Sequence, residues 1–388
     1  MSQSNGRDCT KTVAWAQRGP ALTPYRVEGT ILSANVSETA HPFRPSADRS
    51  IESLELDLPD PSLLMRLALA YRSSMVLFAA AELDIFTAIA GGATTLPALA
   101  QHCGVATEPL RLLLEACVAE GLLVSTADSF GNTSVADAFL VRGRPAFIAH
   151  GLKYAEDLYQ PWGHLVDLLR SGRPVIEPES ILGDDKARTR AFVLAMHERA
   201  RGMSAVLPHG VDFTGRRRLL DVGGGPGTYS IALVQQTPGL RSTVLDLPGV
   251  LEITREIVEQ HGCADRVALM PGNYLMSSFG SGYDAVLLSG MMHRETADTC
   301  RRLLRKAFDA LEPGGLVVVS DVFFESDKKN TPPFAIYFAL NMMLTSKEGS
   351  AHAKTEMVRW ATEAGFHGVE LRNLPPPNPH TLVVGTKP

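Results

Sequence analysis

The sequence predicts an α/β chain in which a doubly wound, mostly parallel sheet follows a mainly helical module. Three observations carry this prediction. From Arg216 onward short apolar runs alternate with helical patterns, with strands expected near 218–222, 242–246, 266–270, 284–289, 316–322 and 381–386. Such alternation implies parallel strands joined by crossover helices. The first of these strands runs directly into a glycine loop, Asp221-Val222-Gly223-Gly224-Gly225-Pro226-Gly227. Ahead of them, the stretch from Leu64 to Gly121 carries apolar residues at helical spacing.

With 388 residues the chain has room for two cores, and 45% hydrophobic with 20% charged residues is ordinary for a soluble enzyme. Its formal net charge of −5 argues against a polyanionic partner such as nucleic acid. The five cysteines (Cys9, Cys103, Cys117, Cys263, Cys300) form no C-x-x-C pair and are odd in number. Neither a disulfide framework nor a zinc site is implied, no metal is expected, and a reducing cytoplasm fits best. No run approaches the roughly 18 apolar residues of a membrane helix, and no signal peptide precedes Ser50. Residues 1–58 are polar and broken by Pro20, Pro24, Pro42 and Pro45, which predicts a disordered extension.

Residues 59–145 come next. Leu64 to Ala90 reads as two helical runs. Thr95 is placed to cap a short helix, and Thr107-Glu108-Pro109 opens another with one apolar face at 110, 113, 114, 117 and 118. Gly121–Val124 and Ser129–Asn132 then form a hairpin. Two helices and a β-wing make a winged-helix pattern, which raises DNA binding as a possibility. The would-be recognition helix carries Glu108, Glu115 and Glu120 against Arg111 alone, and such a helix repels phosphate. A helical connector spans 146–210 and contains Phe192-Val193-Leu194-Ala195-Met196-His197. The α/β domain fills 211–388.

The glycine loop carries the first chemistry. Glycines let the backbone turn sharply and approach a ligand closely, and the following helix offers unpaired N–H groups to an anion. The order D-x-G-x-G-x-G departs from the G-x-G-x-x-G dinucleotide fingerprint. It resembles motif I of the S-adenosylmethionine (SAM)-dependent methyltransferases. Asp246, ending the second strand in Val244-Leu245-Asp246-Leu247-Pro248, is placed to accept ribose hydroxyls. In Gly272-Asn273-Tyr274 the family usually shows Gly-Asp and an aromatic; Asn273 can accept from an adenine amino group and Tyr274 can stack on the ring. The cofactor implied is SAM, contacted by Asp221, Gly223, Gly225, Gly227, Asp246, Leu247, Asn273, Tyr274 and Ser289.

From about residue 60 the chain resembles plant-type and bacterial natural-product O-methyltransferases, of the caffeate and acetylserotonin type, whose winged-helix-like domain serves dimerisation. That resemblance implies a Rossmann-like SAM-binding domain, a homodimer and a small aromatic acceptor. His293, at the end of the strand Asp284–Ser289, matches the family's general base. The family often reads His-Asp-Trp where this chain reads His293-Arg294-Glu295; Arg294 would disfavour a protonated imidazole and Glu295 would favour it. Asp321 and Glu348 match the acids behind that histidine. Met196, Met292, Asn341, Met342 and Met343 match the substrate-holding positions. The expected reaction is methyl transfer to a hydroxyl, with carbon or nitrogen transfer on the same scaffold, or a silent SAM-binding protein, as alternatives.

Overall fold

Local sequence dictates the first helices. The computed structural model describes residues 59–388 apart from 177–181, 183–184 and 376–377. The N-terminal extension expected over 1–58 lies outside the described residues. Helices α1 (Ser62–Leu69), α2 (Tyr71–Glu82), α3 (Ile85–Ala90), α4 (Leu96–Cys103) and α5 (Thr107–Ala119) follow the apolar periodicity. Thr95 caps α4, its side chain accepting from Ala98 N. Leu99, Leu110, Leu114 and Cys117 bury the facing sides of α4 and α5. Strands β1 (Leu123–Ser125) and β2 (Phe130–Asn132) pair antiparallel as the expected wing.

Ser62–Glu82 is a 21-residue stretch whose most apolar window has mean hydropathy 1.4, long and apolar enough to cross a membrane by length and composition. It is not an unbroken apolar run, because Arg66, Arg72 and two serines interrupt the pattern. Leu63, Leu64, Met65 and Leu67 stand exposed on it.

Helices α6 (Ser134–Leu140), α7 (Ala149–Asp157), α8 (Tyr159–Gly163), α9 (Leu165–Ser171) and the long α10 (Lys186–Gly210) lead to the sheet. There the strands and helices alternate: β3 (Arg218–Val222), α11 (Thr228–Gln236), β4 (Arg241–Asp246), α12 (Pro248–Gln260), β5 (Val267–Pro271), β6 (Tyr283–Ser289), α13 (Ala297–Ala310) and β7 (Leu311–Asp321). The short pair β8 (Phe323–Phe324) and β9 (His352–Ala353) brackets α14 (Pro333–Thr345). Then come α15 (Lys354–Glu363), β10 (His367–Asn373) and β11 (Thr381–Thr386).

The large sheet has the order β10-β11-β7-β6-β3-β4-β5, with β11 antiparallel to both its neighbours and the rest parallel. Alternate residues enter opposite cores. Leu219, Leu287 and Val318 pack on the side of Leu207, Leu233 and Ile257, whereas Leu220, Leu288 and Val319 pack on the side of Leu303, Leu304 and Trp360. Strand β10 is absent from the strands expected above. It is an edge strand, largely exposed, and its charged residues Glu370 and Arg372 hide the apolar signal while guarding the edge.

Candidate active site

Strand order reverses between β3 and β6: the chain runs outward through β4 and β5, then crosses back to β6. Ligands of open α/β sheets sit at the carboxyl ends of the strands flanking such a switch. A cavity of about 490 Å³ opens there, within the roughly 300–1,000 Å³ usual for small-molecule sites.

The glycine loop forms one wall. Asp221 is fully buried; its Oδ2 accepts from Ser230 Oγ at 2.7 Å, while Oδ1 has no partner among the described residues. Burial pushes its carboxyl up to about 6, with the Ser230 hydrogen bond opposing and the Asp246 charge adding. Gly224 touches this carboxylate so closely that a Cβ there would lie 2.7 Å from its carbon. Gly225, at φ +51°, has open space where a Cβ would project. Asp246 Oδ2 accepts from Gly225 N at 2.8 Å and Oδ1 from Leu247 N at 2.7 Å. These residues suit a nucleoside with a charged amino group: an orphaned buried acceptor, a backbone cradle, and an acid with lone pairs to spare.

Asp221, Gly223, Gly225, Asp246, Leu247, Asn273, Tyr274 and Ser289 all line the cavity. Gly227 does not; it precedes α11 with φ +72°, where a Cβ would press on Thr254 at 3.2 Å. Asn273 Oδ1 already accepts from Leu275 N at 2.9 Å, leaving one lone pair for a ligand. Tyr274 donates its hydroxyl to Glu295 Oε1 at 2.6 Å. Burial, and then the Glu295 charge, push that phenol far above its usual range.

His293 sits in the 3-10 turn Met292–Arg294 after β6. Its Nδ1 lies 2.7 Å from Asp321 Oδ1, and its backbone N–H donates to Oδ2 at 3.2 Å. Val322 N donates to Oδ1 at 2.8 Å. Burial works against the Asp321 carboxylate, but the His293 charge and hydrogen bond and the His380 charge hold it below the ordinary range. An ionised carboxylate only accepts, so His293 Nδ1 carries the hydrogen and Nε2 is the basic nitrogen. The ring is nearly nine-tenths buried, lines the cavity and meets Phe338 edge-on with centroids 4.8 Å apart.

Other expectations need correction. Glu348 is exposed and does not line the cavity, so Asp321 alone of the two acids reaches His293. Glu295 is buried against Tyr274 rather than placed to charge the imidazole. Met196 and Met342 line the cavity. Met292 instead fills the core beneath the sheet, Met343 is 47% exposed, and Asn341 Oδ1 accepts from Trp162 Nε1 at 3.1 Å. Residues 342 and 343 are about 100° apart on one helix, so only one can face a given wall.

Sequence reasoning misses several lining residues: Tyr154, Arg199, Met203 and His380. The spacing 192, 196, 199, 203 on α10 is a legible helical face. His380 lies in the loop before β11 with no motif around it; its Nδ1 is 3.0 Å from Ser320 Oγ, and burial pushes it down to about 4. His197 Nδ1 lies 2.8 Å from Thr228 Oγ1, tying α10 to the start of α11. Among the described residues no group of three or more His, Cys, Asp or Glu could hold a metal ion.

The O-methyltransferase domain model matches residues 162–367, and the O-methyltransferase dimerisation domain model matches 65–142. The chain belongs to the O-methyltransferase family. Within that family it is 31% identical to a 3-hydroxy-5-methyl-1-naphthoate 3-O-methyltransferase of Streptomyces sahachiroi, over 84% of this chain and 95% of that protein. The solved structure of an O-methyltransferase family protein from Burkholderia thailandensis is similar, with TM-score 0.75 and 26% identity over 85% of this chain and 98% of its own. So is the S-adenosylmethionine-dependent methyltransferase SibL, with TM-score 0.66 and 28% identity over 85% of this chain and 100% of its own. The fold class expected from the sequence is thus that of an O-methyltransferase with an N-terminal dimerisation domain.

Proposed function

We propose that this O-methyltransferase transfers a methyl group to a hydroxyl of a small aromatic acceptor, with His293 as general base and Asp321 as the residue that positions it. The observation that carries the reading is the His293–Asp321 pair at 2.7 Å, set at the wall of a cavity that Phe334, Phe338, Met196 and Met342 also line. S-adenosylmethionine is the cofactor, and when bound it supplies a methyl group already activated on a sulfonium. Asp221, Gly223, Gly225, Asp246, Leu247, Asn273, Tyr274 and Ser289 would hold it.

The chain's own part is proton removal and alignment. A phenol near pKa 10 is a weak nucleophile at neutral pH. His293 Nε2 would take the proton of the acceptor hydroxyl, and Asp321 would stabilise the resulting imidazolium through Nδ1–H. Positioned base catalysis of this kind contributes about 10²–10⁴-fold. Flat apolar and methionine side chains hold an aromatic ring well. The division into 59–145, 146–210 and 211–388 assigns dimerisation, connection and catalysis in turn, with the exposed apolar residues of α1 facing a second copy. Among the described residues four cysteines are free, three of them buried, which suits a reducing cytoplasm.

Incubation with labelled SAM and a panel of phenols, with the methylated atom located by NMR of the product, tests the reading. An O-methyl ether is expected. A product methylated on nitrogen or carbon would overturn it.

A further inference from the structure

We propose that His380 is a second recognition residue of the acceptor site, its Nε2–H donating to an uncharged carbonyl oxygen on the ring system whose hydroxyl faces His293. The acceptor would then be a hydroxylated aromatic ketone rather than a plain phenol. This inference rests on the acceptor reading above and deepens it.

Sheet order places His380 at the acceptor end of the cavity. Asp221, Asp246 and Asn273 stand at or just beyond the ends of β3, β4 and β5, whereas His293 follows β6 and Asp321 ends β7. His380 directly precedes β11, the strand on the far side of β7. Thr381 pairs with Asp321 in the antiparallel register, so His380 comes level with Val322, which also lines the cavity. Neighbouring strands lie about 4.8 Å apart, so β6 and β11 are about 10 Å apart across β7, and β3 and β4 are farther off. The two histidines therefore approach one space from the two strands that flank β7.

The position of the ring hydrogen follows from Ser320. His380 Nδ1 lies 3.0 Å from Ser320 Oγ, and this is the only hydrogen bond of that hydroxyl among the described residues. Ser320 is fully buried. A buried hydroxyl without an acceptor is costly, so Ser320 donates to Nδ1 and the ring keeps its hydrogen on Nε2. Burial supports the uncharged form, pushing the ring down to about 4. Nε2 has no partner among the described residues and is not sealed in the protein, because the ring lines the cavity. The backbone holds it in place, with His380 N donating to Asn378 Oδ1 at 2.9 Å. His293 has the opposite polarity: Asp321 takes its Nδ1–H and leaves Nε2 to accept. One imidazole thus accepts a hydroxyl hydrogen while the other donates to an oxygen, and Phe338 and Met342 supply apolar wall for the ring between them.

The test uses the full-length protein loaded with S-adenosylhomocysteine, so that binding is read without turnover. Calorimetry compares the 5-, 6- and 7-hydroxy-1-tetralones with the matching tetrahydronaphthols, which differ only in lacking the carbonyl. The best ketone of the panel is expected to bind about three- to tenfold more tightly than its partner, the range of one neutral hydrogen bond. His380→Leu should bring that ratio to unity, and His380→Gln, which keeps an N–H donor, should restore part of it. A thermal shift with S-adenosylhomocysteine confirms that each variant is folded. Equal binding of every ketone and its partner by the wild type overturns the proposal, and so does a preference that survives His380→Leu. Plain phenols and ketones bound alike but both converted to methyl ethers would leave the O-transfer reading intact and sink this one. Ketones preferred through His380 yet methylated on carbon would do the reverse.

Discussion

Asp321 grips His293 twice, by the ring Nδ1 at 2.7 Å and by the backbone N–H at 3.2 Å. One carboxylate at the end of β7 therefore fixes both the tautomer of the imidazole and the turn that carries it. The arrangement resembles a general base with its orienting acid, and it demands little of the rest of the cavity beyond shape.

His293→Ala is expected to slow turnover by about 10²–10⁴-fold with little change in affinity for S-adenosylhomocysteine. Single-turnover rates, measured beside calorimetry, decide it. A variant that turns over at the wild-type rate would make His293 structural.

Much of this site was legible because its spacing is local. Asp221 to Gly225, Asp246, Asn273-Tyr274 and His293 each sit where a strand ends, and strand ends are readable from apolar runs. Asp321 likewise ends a strand, β7. Glu348 failed because it lies in a loop after α14, where no periodicity says which way a side chain turns. Met292 and Met343 failed through one-residue ambiguity at the edge of a strand and on a helix. Arg199 was readable in principle, since Phe192, Met196 and Met203 mark its face, but a charged residue on a helix carries no signal unless the facing wall is known. The role of Glu295 depended on Tyr274, 21 residues away, which only the fold brings near.

Asp221→Asn separates cofactor binding from stability. The carboxyl is raised to about 6 by burial, so near neutral pH the folded protein carries a charge that costs roughly 3 kcal/mol, since each tenfold change in proton affinity is worth about 1.36 kcal/mol. Asparagine keeps an acceptor for Ser230 and removes that cost. The free protein should melt a few degrees higher, while affinity for S-adenosylhomocysteine falls by more than about tenfold for want of a charged partner to the amino group. Differential scanning fluorimetry with and without the ligand reads both effects. A variant that melts earlier and keeps the full ligand-induced rise in Tm would contradict this expectation.

The apolar surface of α1 predicts an obligate neighbour. Leu64 is 68% and Leu67 63% exposed; Leu67 falls within the stretch matched by the dimerisation domain and Leu64 directly precedes it. Contiguous apolar patches mark interfaces. Sedimentation should find a dimer, and Leu64→Glu with Leu67→Glu should shift it to monomer while leaving the far-UV spectrum intact. A wild-type monomer would remove the homodimer from the proposal.

Stability should fall as pH drops from about 6.5 toward 4, and the sign follows from three lowered histidines set against Asp221 and Asp246, the latter also raised by burial. His380 is pushed from 6.5 to about 4 by burial. Between those values the unfolded chain binds a proton that the folded one refuses, so stability is full above 6.5 and is lost on the way down, by roughly 3 kcal/mol in all. Asp221 acts oppositely. Its raised carboxyl takes up a proton as pH falls through about 6, which relieves a burial cost of similar size. These two nearly cancel. His197, lowered to about 4 chiefly by burial and then by His261, and His352, lowered by burial, tip the balance toward loss. Urea midpoints at about pH 7 and about pH 5 should therefore show a modest decline in the wild type. Asp221→Asn removes the opposing group and should make the decline steeper, and His380→Asn should flatten it or reverse its sign. Identical slopes in all three proteins would mean that these side chains titrate alike in the folded and unfolded chain, and that their burial does not govern the acid response.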